Sequence, residues 1–382
     1  MRASLLTPGL SGAKFSAAVL DLADIEPYLS ERGLLSARAV VDGGLRISDL
    51  SRLNRVFLVT AEGERCLVVK LTDEPGGDGV ARETAVLERL WSSGAGDGLT
   101  RFLPPVVAYD KAEGVLILET APDTRDLTHH HSRGRFSRAL AGQVGHALAC
   151  LHELSPAAVG GLPGRVDPTA SLRIHQPDLE SLHEMSSAAV NFTEILQSSD
   201  EICASLDALL ASWTPGSMIH GDVRWDNCLA FREADSDRWT GLRLCDWEHS
   251  AAGDPALDIG AFFGEYLRAW VQSIPIVDAR EPGRLLAHAG LPLGRMRPAL
   301  RTFWDTYARH RRCGAAELSS TLRRATLFAA PRLLTAALEE AQMLAELRAS
   351  VLYLVPLSRN ILVRPDDASA HLLGLRVSQD AA

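Results

Sequence analysis

His220-Gly221-Asp222-Val223-Arg224-Trp225-Asp226-Asn227 places a carboxylate and a carboxamide five positions apart on what reads as a short loop. An apolar strand carrying a second acidic residue follows, Leu242-Arg243-Leu244-Cys245-Asp246-Trp247-Glu248. Phosphoryl transfer needs this layout: a base to meet the acceptor hydroxyl, and two oxygen ligands to hold Mg²⁺ against nucleotide phosphates. Magnesium prefers hard oxygen donors and keeps several waters, which suits one Asn and one Asp with coordination positions left open. Asp222 is therefore the candidate base, and Asn227 and Asp246 the candidate metal ligands.

Upstream, the segment from Ile47 to Lys70 reads as two strands. Val56-Phe57-Leu58-Val59-Thr60 and Cys66-Leu67-Val68-Val69-Lys70-Leu71 flank the polar turn Ala61–Arg65 as a hairpin. The helical spacing of Val80, Ala81, Thr84, Leu87 and Leu90 predicts a helix over 80–91. Two more strands follow, near 105–109 and 115–119. Lys70, at a strand end, suits a clamp on phosphates, and Glu83 on the next helix is its expected ion-pair partner, with Glu88 as the rival. A lysine in that place commonly just reaches solvent; the downstream motif favours the functional role.

Beyond Pro122 the character changes. Leu140, Val144, Leu148 and Leu151 mark a helix over 138–154, and 178–197, 201–213, 255–343 and 345–357 read as mostly helical. Short strands are expected near 217–219, 227–231 and 242–246. Pro282, Pro292 and Pro298 mark turns, and Pro331 a helix start or kink. The fold class is α+β: a small antiparallel-sheet domain with one helix over 1–121, and a larger, mainly helical domain over 122–382.

Several residues have structural readings. His220 is expected to hydrogen-bond backbone near Asp246 rather than to shuttle a proton, and Asp254 and Asp258 in Gly253-Asp254-Pro255-Ala256-Leu257-Asp258 to cap a helix start. Arg224 and Asp226 read as loop surface or acceptor contacts. Glu248 either joins the metal shell or faces water. His129-His130-His131 lacks zinc-ligand spacing and reads as a solvated loop. His146 and His152 read as core or capping residues.

Composition limits the function classes. The 382 residues are 46% hydrophobic with a formal net charge of −9, which argues against nucleic-acid or anionic-membrane binding, since both need a basic face. No uncharged apolar run reaches the ~18 residues of a membrane helix. Pro8 and Gly9 break the short apolar stretch behind Arg2, so no signal peptide is expected. Six scattered cysteines without a CxxC pair fit a reducing compartment, and the expected location is the cytoplasm.

Lys70, the Glu83 helix, the 220–227 motif, Leu244-Cys245-Asp246-Trp247-Glu248 and Gly253-Asp254-Pro255-Ala256-Leu257-Asp258-Ile259-Gly260 resemble, in order and approximate spacing, the aminoglycoside phosphotransferase and choline kinase superfamily over residues 45–270. The resemblance implies a two-lobed protein-kinase-like fold with ATP between the lobes. It implies Asp222 as base, Asn227 and Asp246 on Mg²⁺, Lys70 on phosphate, and Glu119-Thr120-Ala121 along the adenine pocket. One departure is clear: 43–55 holds no GxGxxG, so Ser51 and Asn54, with Arg46, Arg52 or Arg55, are the expected phosphate contacts there.

Asp246 to Pro255, Phe262-Phe263-Gly264-Glu265-Tyr266-Leu267, Ser51-Arg52-Leu53-Asn54-Arg55 and Ser358-Arg359-Asn360-Ile361-Leu362 are similar to a narrower branch, the thioamitide and class V lanthipeptide kinases. That likeness implies phosphorylation of Ser or Thr in a ribosomally made precursor peptide beside a partner lyase, with the helical tail as a docking element or as plain packing. A small-molecule acceptor (an aminoglycoside, a choline-like amine or a sugar) is the alternative. A pseudokinase binding module is the reading from another class.

Overall fold

The computed structural model describes residues 20–41, 43–51, 55–72, 78–92, 96–163, 167–233, 238–275 and 289–376. Asn54, Arg52 and Pro282 lie outside these. The chain divides into two compact units. The first takes in the described residues up to Arg125, the segment from Val159, and Leu229–Glu248; the second takes in Asp126–Ala158, Val166–Cys228 and the described residues from His249. Asp246 therefore belongs to the same unit as Lys70.

The first unit is built on a five-stranded antiparallel sheet: β1 (Arg46–Asp49), β2 (Arg55–Thr60), β3 (Cys66–Leu71), β4 (Val106–Asp110) and β5 (Val115–Thr120), in the order β1-β2-β3-β5-β4. Where sequence reading gave two strands over 47–70 there are three, because Arg46–Asp49 pairs with Phe57–Thr60. Alternation then gives the sheet two different faces. Phe57, Val59, Leu67, Val69 and Ile117 are buried in a core with Ile25, Tyr28 and Leu29 of helix α1 (Ile25–Glu31). Val56, Leu58, Val68 and Lys70 point the other way, and the three apolar residues of this set are half-buried.

Helices α2 (Ala37–Val41), α3 (Gly79–Ser92) and α4 (Gly96–Thr100) complete this part, so among the described residues the expected single helix is one of four. α3 packs on β4 and β5, burying Val86, Leu87 and Leu90. After β6 (Arg125–Asp126) and β7 (Ser217–Ile219), the unit is joined by the neighbouring strands β8 (Cys228–Arg232) and β9 (Trp239–Leu244). Leu244 N–H donates to Phe102 O at 2.8 Å, tying β9 to this unit.

The second unit is mostly helical: α5 (Leu127–His131), α6 (Arg138–His152), α7 (Leu179–Glu184), α8 (Ser187–Gln197), α9 (Asp200–Ala211), α10 (Pro255–Gln272), α11 (Leu293–His310), α12 (Ala315–Gln342) and α13 (Ala349–Val363). Hydroxyl and carboxylate caps start many of them. Ser137 accepts from Leu140 N–H, Asp178 from Ser181 N–H and Asp254 from Ala256 N–H. β7 pairs antiparallel with β10 (Ala251–Gly253) and brackets the 220–227 loop. Pro298 marks no turn: it lies inside α11, and Pro331 lies inside α12 rather than at its start.

α10 and α12 approach closely because α10 presents Gly260 and Gly264 to its neighbour. A Cβ on Gly260 would sit 2.5 Å from Phe328 Cβ and 2.6 Å from Ala325 O. Gly260→Val is thus expected to lower stability by roughly 2–3 kcal/mol through overpacking. The measurement is a lower urea midpoint at unchanged m-value; an unshifted midpoint contradicts the packing argument.

The His129–His131 run is not a solvated loop. Asp126 caps it as the short helix α5, and His131 is 2% exposed, its ring 4.6 Å from that of Trp225 and 5.1 Å from that of Phe136. Burial, helped by the neighbouring His130, pushes its pKa from 6.5 down to about 3. The unfolded chain therefore binds the extra proton first. Stability from this group falls as pH drops below about 6.5 towards 3, by up to about 1.4 kcal/mol per pH unit. His131→Phe is expected to flatten the dependence of urea midpoint on pH between 7 and 5; an unchanged slope counts against it.

Candidate active site

In the first unit, β3 carries Lys70 between Val56 of β2 and Leu116 of β5. The residue is 6% exposed. Its Nζ donates to both carboxylate oxygens of Glu83, at 2.9 and 2.7 Å, and also contacts the Asp246 carboxylate. Glu88 is exposed. Burial alone pushes the Lys70 ammonium towards neutrality, but Glu83 and Asp246 outweigh it and hold the pKa well above the ordinary value. One ammonium faces two carboxylates, and burial raises the Glu83 carboxyl above its ordinary value despite the pull of Lys70.

Asp246 ends the apolar run of β9 with φ +62°, a left-handed conformation that Asp tolerates better than most side chains. Its carboxylate is one-third exposed while the next residue, Trp247, is fully buried. Trp247 Nε1 donates to Leu244 O at 2.8 Å, and its backbone N–H reaches Glu83 Oε1 at 3.4 Å. Arg82 supports the same segment, with Nε on Glu248 O at 2.7 Å and Nη1 on Pro163 O at 2.8 Å. Two consecutive residues of α3 thus fix both Lys70 and the backbone around Asp246. Arg82 was not singled out from the sequence; a charge on the α3 face that is otherwise buried was the available signal. Glu248 lies at the start of α3, where its Oε2 occupies the space a Cβ on Gly79 would need.

Glu119 and Ala121 stand half-buried at and just beyond the end of β5. Glu119 N–H donates to Pro105 O at 2.9 Å, and its carbonyl accepts from Arg243 Nη1 at 3.3 Å. Ala121 O accepts from Thr124 Oγ1 at 2.6 Å. Ser51 is exposed and braces the connection of β1 to β2. Its N–H donates to Asp49 Oδ1 at 2.8 Å and its Oγ accepts from Val56 N–H at 3.0 Å.

In the second unit, the 220–227 loop is held by α10. Gly221 has φ +85°, and a Cβ there would lie 2.4 Å from His249 O, so glycine is required on both counts. Asp258 does not cap its helix as expected. Its fully buried carboxylate accepts His220 N–H at 2.7 Å and Gly221 N–H at 2.9 Å, and meets His152 Nε2 at 3.1 Å. His152 Nδ1 in turn meets Tyr307 Oη at 3.0 Å. Burial pushes Asp258 up, yet the bonds and charges from His152 and His220 hold its pKa below the ordinary value. His220, itself fully buried, offers Nδ1 to Asp222 N–H at 3.4 Å.

Asp222 and Asn227 are brought together. Asn227 Nδ2 donates to Asp222 Oδ2 and to Asp222 O, both at 2.9 Å. Those bonds fix the amide orientation, so the atom Asn227 offers a cation is its oxygen. Burial pushes the Asp222 carboxyl above the ordinary carboxylate range against the pull of Arg224, Arg332, His220 and His249. A carboxylate made more basic in this way suits proton acceptance.

Among the described residues no group of three or more His, Cys, Asp and Glu could cage a metal. Mg²⁺ binds through one or two protein oxygens plus waters and substrate phosphates rather than in an all-protein cage. Asn227 and Asp246 offer hard oxygens of that kind.

A model described as "Phosphotransferase enzyme family" matches residues 47–298. The chain belongs to this family. The phosphotransferase is similar in structure to a Plasmodium vivax ethanolamine kinase, at 13% identity and TM-score 0.56, covering 92% of this chain and 93% of that one. A choline kinase from Cryptosporidium parvum Iowa II aligns at 13% identity and TM-score 0.49, over 91% and 96% of the two chains. An ADP-bound aminoglycoside phosphotransferase, APH(2'')-Ib, aligns at 15% and 0.49, over 90% and 99%. No curated protein sequence matches. The match to the ethanolamine kinase supports the kinase-like fold, and family membership makes the chain a phosphotransferase with an alcohol group as acceptor.

Proposed function

We propose that the chain transfers the γ-phosphoryl group of ATP, with Mg²⁺, to the hydroxyl of Ser or Thr in a ribosomally made precursor peptide, in the cytoplasm. A separate lyase would then eliminate the phosphate. The observation that carries the phosphotransferase chemistry is the ion-paired set Lys70–Glu83–Asp246, together with the Asp222–Asn227 pair. Lys70, kept charged and fixed by Glu83, would bind phosphate as a point charge. Asp222 would orient the acceptor hydroxyl and take its proton. Asn227 and Asp246 would hold the metal, which when bound neutralises charge on the phosphates. The half-buried Val56, Leu58 and Val68 offer an apolar face suited to a nucleotide base beside Glu119 and Ala121, with Ser51 as a further contact for the phosphates. Most of the catalysis would be positioning and charge stabilisation.

The peptide acceptor is supported by the stretches similar to the lanthipeptide and thioamitide branch. One observation favours a small-molecule alcohol instead. The tail helices α12 and α13 pack against each other and bury Leu333, Leu334, Val351, Leu354 and Ile361, a packing role that accounts for them without a docked peptide. Incubation with Mg-ATP, a candidate precursor peptide and its lyase separates the two: a gain of about 80 Da, or a loss of about 18 Da with lyase present, identifies a phosphorylated peptide hydroxyl. Phosphate on a small alcohol alone overturns the peptide reading. A third outcome tests for a pseudokinase. A hundredfold excess of Mg-ATP over its Kd adds about 2.7 kcal/mol of stability, a melting shift of several degrees. Absence of any shift at millimolar nucleotide rejects the enzymatic reading.

A further inference from the structure

α10 carries two buried carboxylates seven positions apart, about two helical turns, and both turn towards the 220–227 loop. Asp258 holds the first half of that loop. The second half meets Glu265, whose carboxylate is 1% exposed. Glu265 Oε2 accepts Trp225 N–H at 3.4 Å and Arg268 Nη2 at 3.0 Å. Oε1 accepts Arg332 Nε at 3.2 Å and Nη2 at 3.0 Å. A carboxylate buried this deeply is costly unless paired. Burial pushes Glu265 up, but Arg332 and then Arg268 more than compensate and hold its pKa below the ordinary value.

Arg332 is itself 10% exposed and sits on α12, outside the family-matched residues 47–298. It reaches Glu265 across Gly264, where a Cβ would come within 2.8 Å of Arg332 Cγ. Its Nη1 lies 3.5 Å from Glu339 Oε1, and that oxygen lies 3.6 Å from Arg224 Nη1. The contacts Trp225–Glu265–Arg332–Glu339–Arg224 therefore start and end on the loop that carries Asp222 and Asn227. Arg224 and Arg332 are also the two charges that pull hardest against the burial of Asp222.

We infer that Glu265 and Arg332 are positioning residues, which fix the Trp225 side of the loop as Asp258 fixes the His220 side. The tail helix α12 is then part of the catalytic apparatus. Leu127 N–H already donates to Trp225 O at 2.9 Å on the far side of Asp222; Glu265 and Arg332 add a second, charged hold there, which limits pivoting of Asp222 and Asn227 about Gly221. This rests on the reading of Asp222 as the base.

The test uses the double variant Glu265→Gln/Arg332→Gln, which removes both charges together and leaves neither buried alone. Two measurements are made on the full chain: amide hydrogen exchange, and ADP release from Mg-ATP with water as acceptor. The expected result is exchange at least tenfold faster in 220–227 with α10 and α12 unchanged. ADP release at saturating nucleotide falls at least tenfold while its KM stays within twofold. Loop exchange within twofold of the parent, or acceleration spread evenly through the unit, overturns the inference. Should the double variant not fold, Arg332→Lys keeps the charge but gives up one of the two contacts with Glu265; faster loop exchange there supports the inference and unchanged exchange rejects it. Asp222→Ala is assayed alongside. Normal ADP release from it would reject Asp222 as base, while the loop-exchange result would still decide the role of Glu265.

Discussion

Asp222→Ala is expected to lower phosphoryl transfer by roughly 10²–10⁴-fold, the range a positioned general base contributes, while nucleotide affinity stays within about twofold. The two effects separate because of how Asn227 is held. Its Nδ2 donates both to the Asp222 side chain and to the Asp222 main-chain carbonyl, each at 2.9 Å. Removing the carboxylate leaves the main-chain bond, so the Asn227 amide keeps one of its two supports. The loop backbone is likewise held from outside, by Asp258 on His220 and Gly221. Turnover and nucleotide Kd, measured on the same preparation, check this; a near-normal rate removes Asp222 from its proposed role.

Asp246→Asn is expected to remove the metal-dependent part of ATP binding, with Kd for Mg-ATP rising at least about tenfold, or 1.4 kcal/mol. Asn is preferred over Ala because residue 246 has φ +62°, which Asn tolerates and Ala does not. The charge argument is direct. Lys70 is flanked by Glu83 and Asp246, so the variant loses one of the two carboxylates beside that ammonium. Lys70 keeps both bonds to Glu83 and stays available to phosphate. ATP titrated in EDTA should therefore bind nearly as before. If Mg²⁺ strengthens ATP binding equally in variant and parent, Asp246 is not the ligand.

The α+β class, the strand hairpin, α3 and most helix positions were legible because they depend on local periodicity and turn residues. The 220–227 motif was legible because five-residue spacing is itself a local signal. What was not legible depends on partners far apart in sequence. Asp258 looked like a helix cap, since a carboxylate near a helix start usually is one, and only the fold brings His220 and Gly221 to it. Glu265 and Arg332 are separated by 67 positions. The one sequence hint was a carboxylate within the apolar run Ala261-Phe262-Phe263-Gly264-Glu265-Tyr266-Leu267. His131 was misread because three adjacent histidines suggest solvent, whereas helix α5 turns the last of them inward against Trp225.

The first unit draws its residues from three separated stretches, the last being Leu229–Glu248. During synthesis its early strands leave the ribosome long before the segment bearing Asp246 is made, and domains ordinarily fold as their sequence emerges. The Phe102 carbonyl has no Leu244 amide to meet until the chain has been made as far as β9. A fragment cut after Arg125 would consequently expose apolar surface intended for β9, and such a nascent or truncated form is where aggregation should begin.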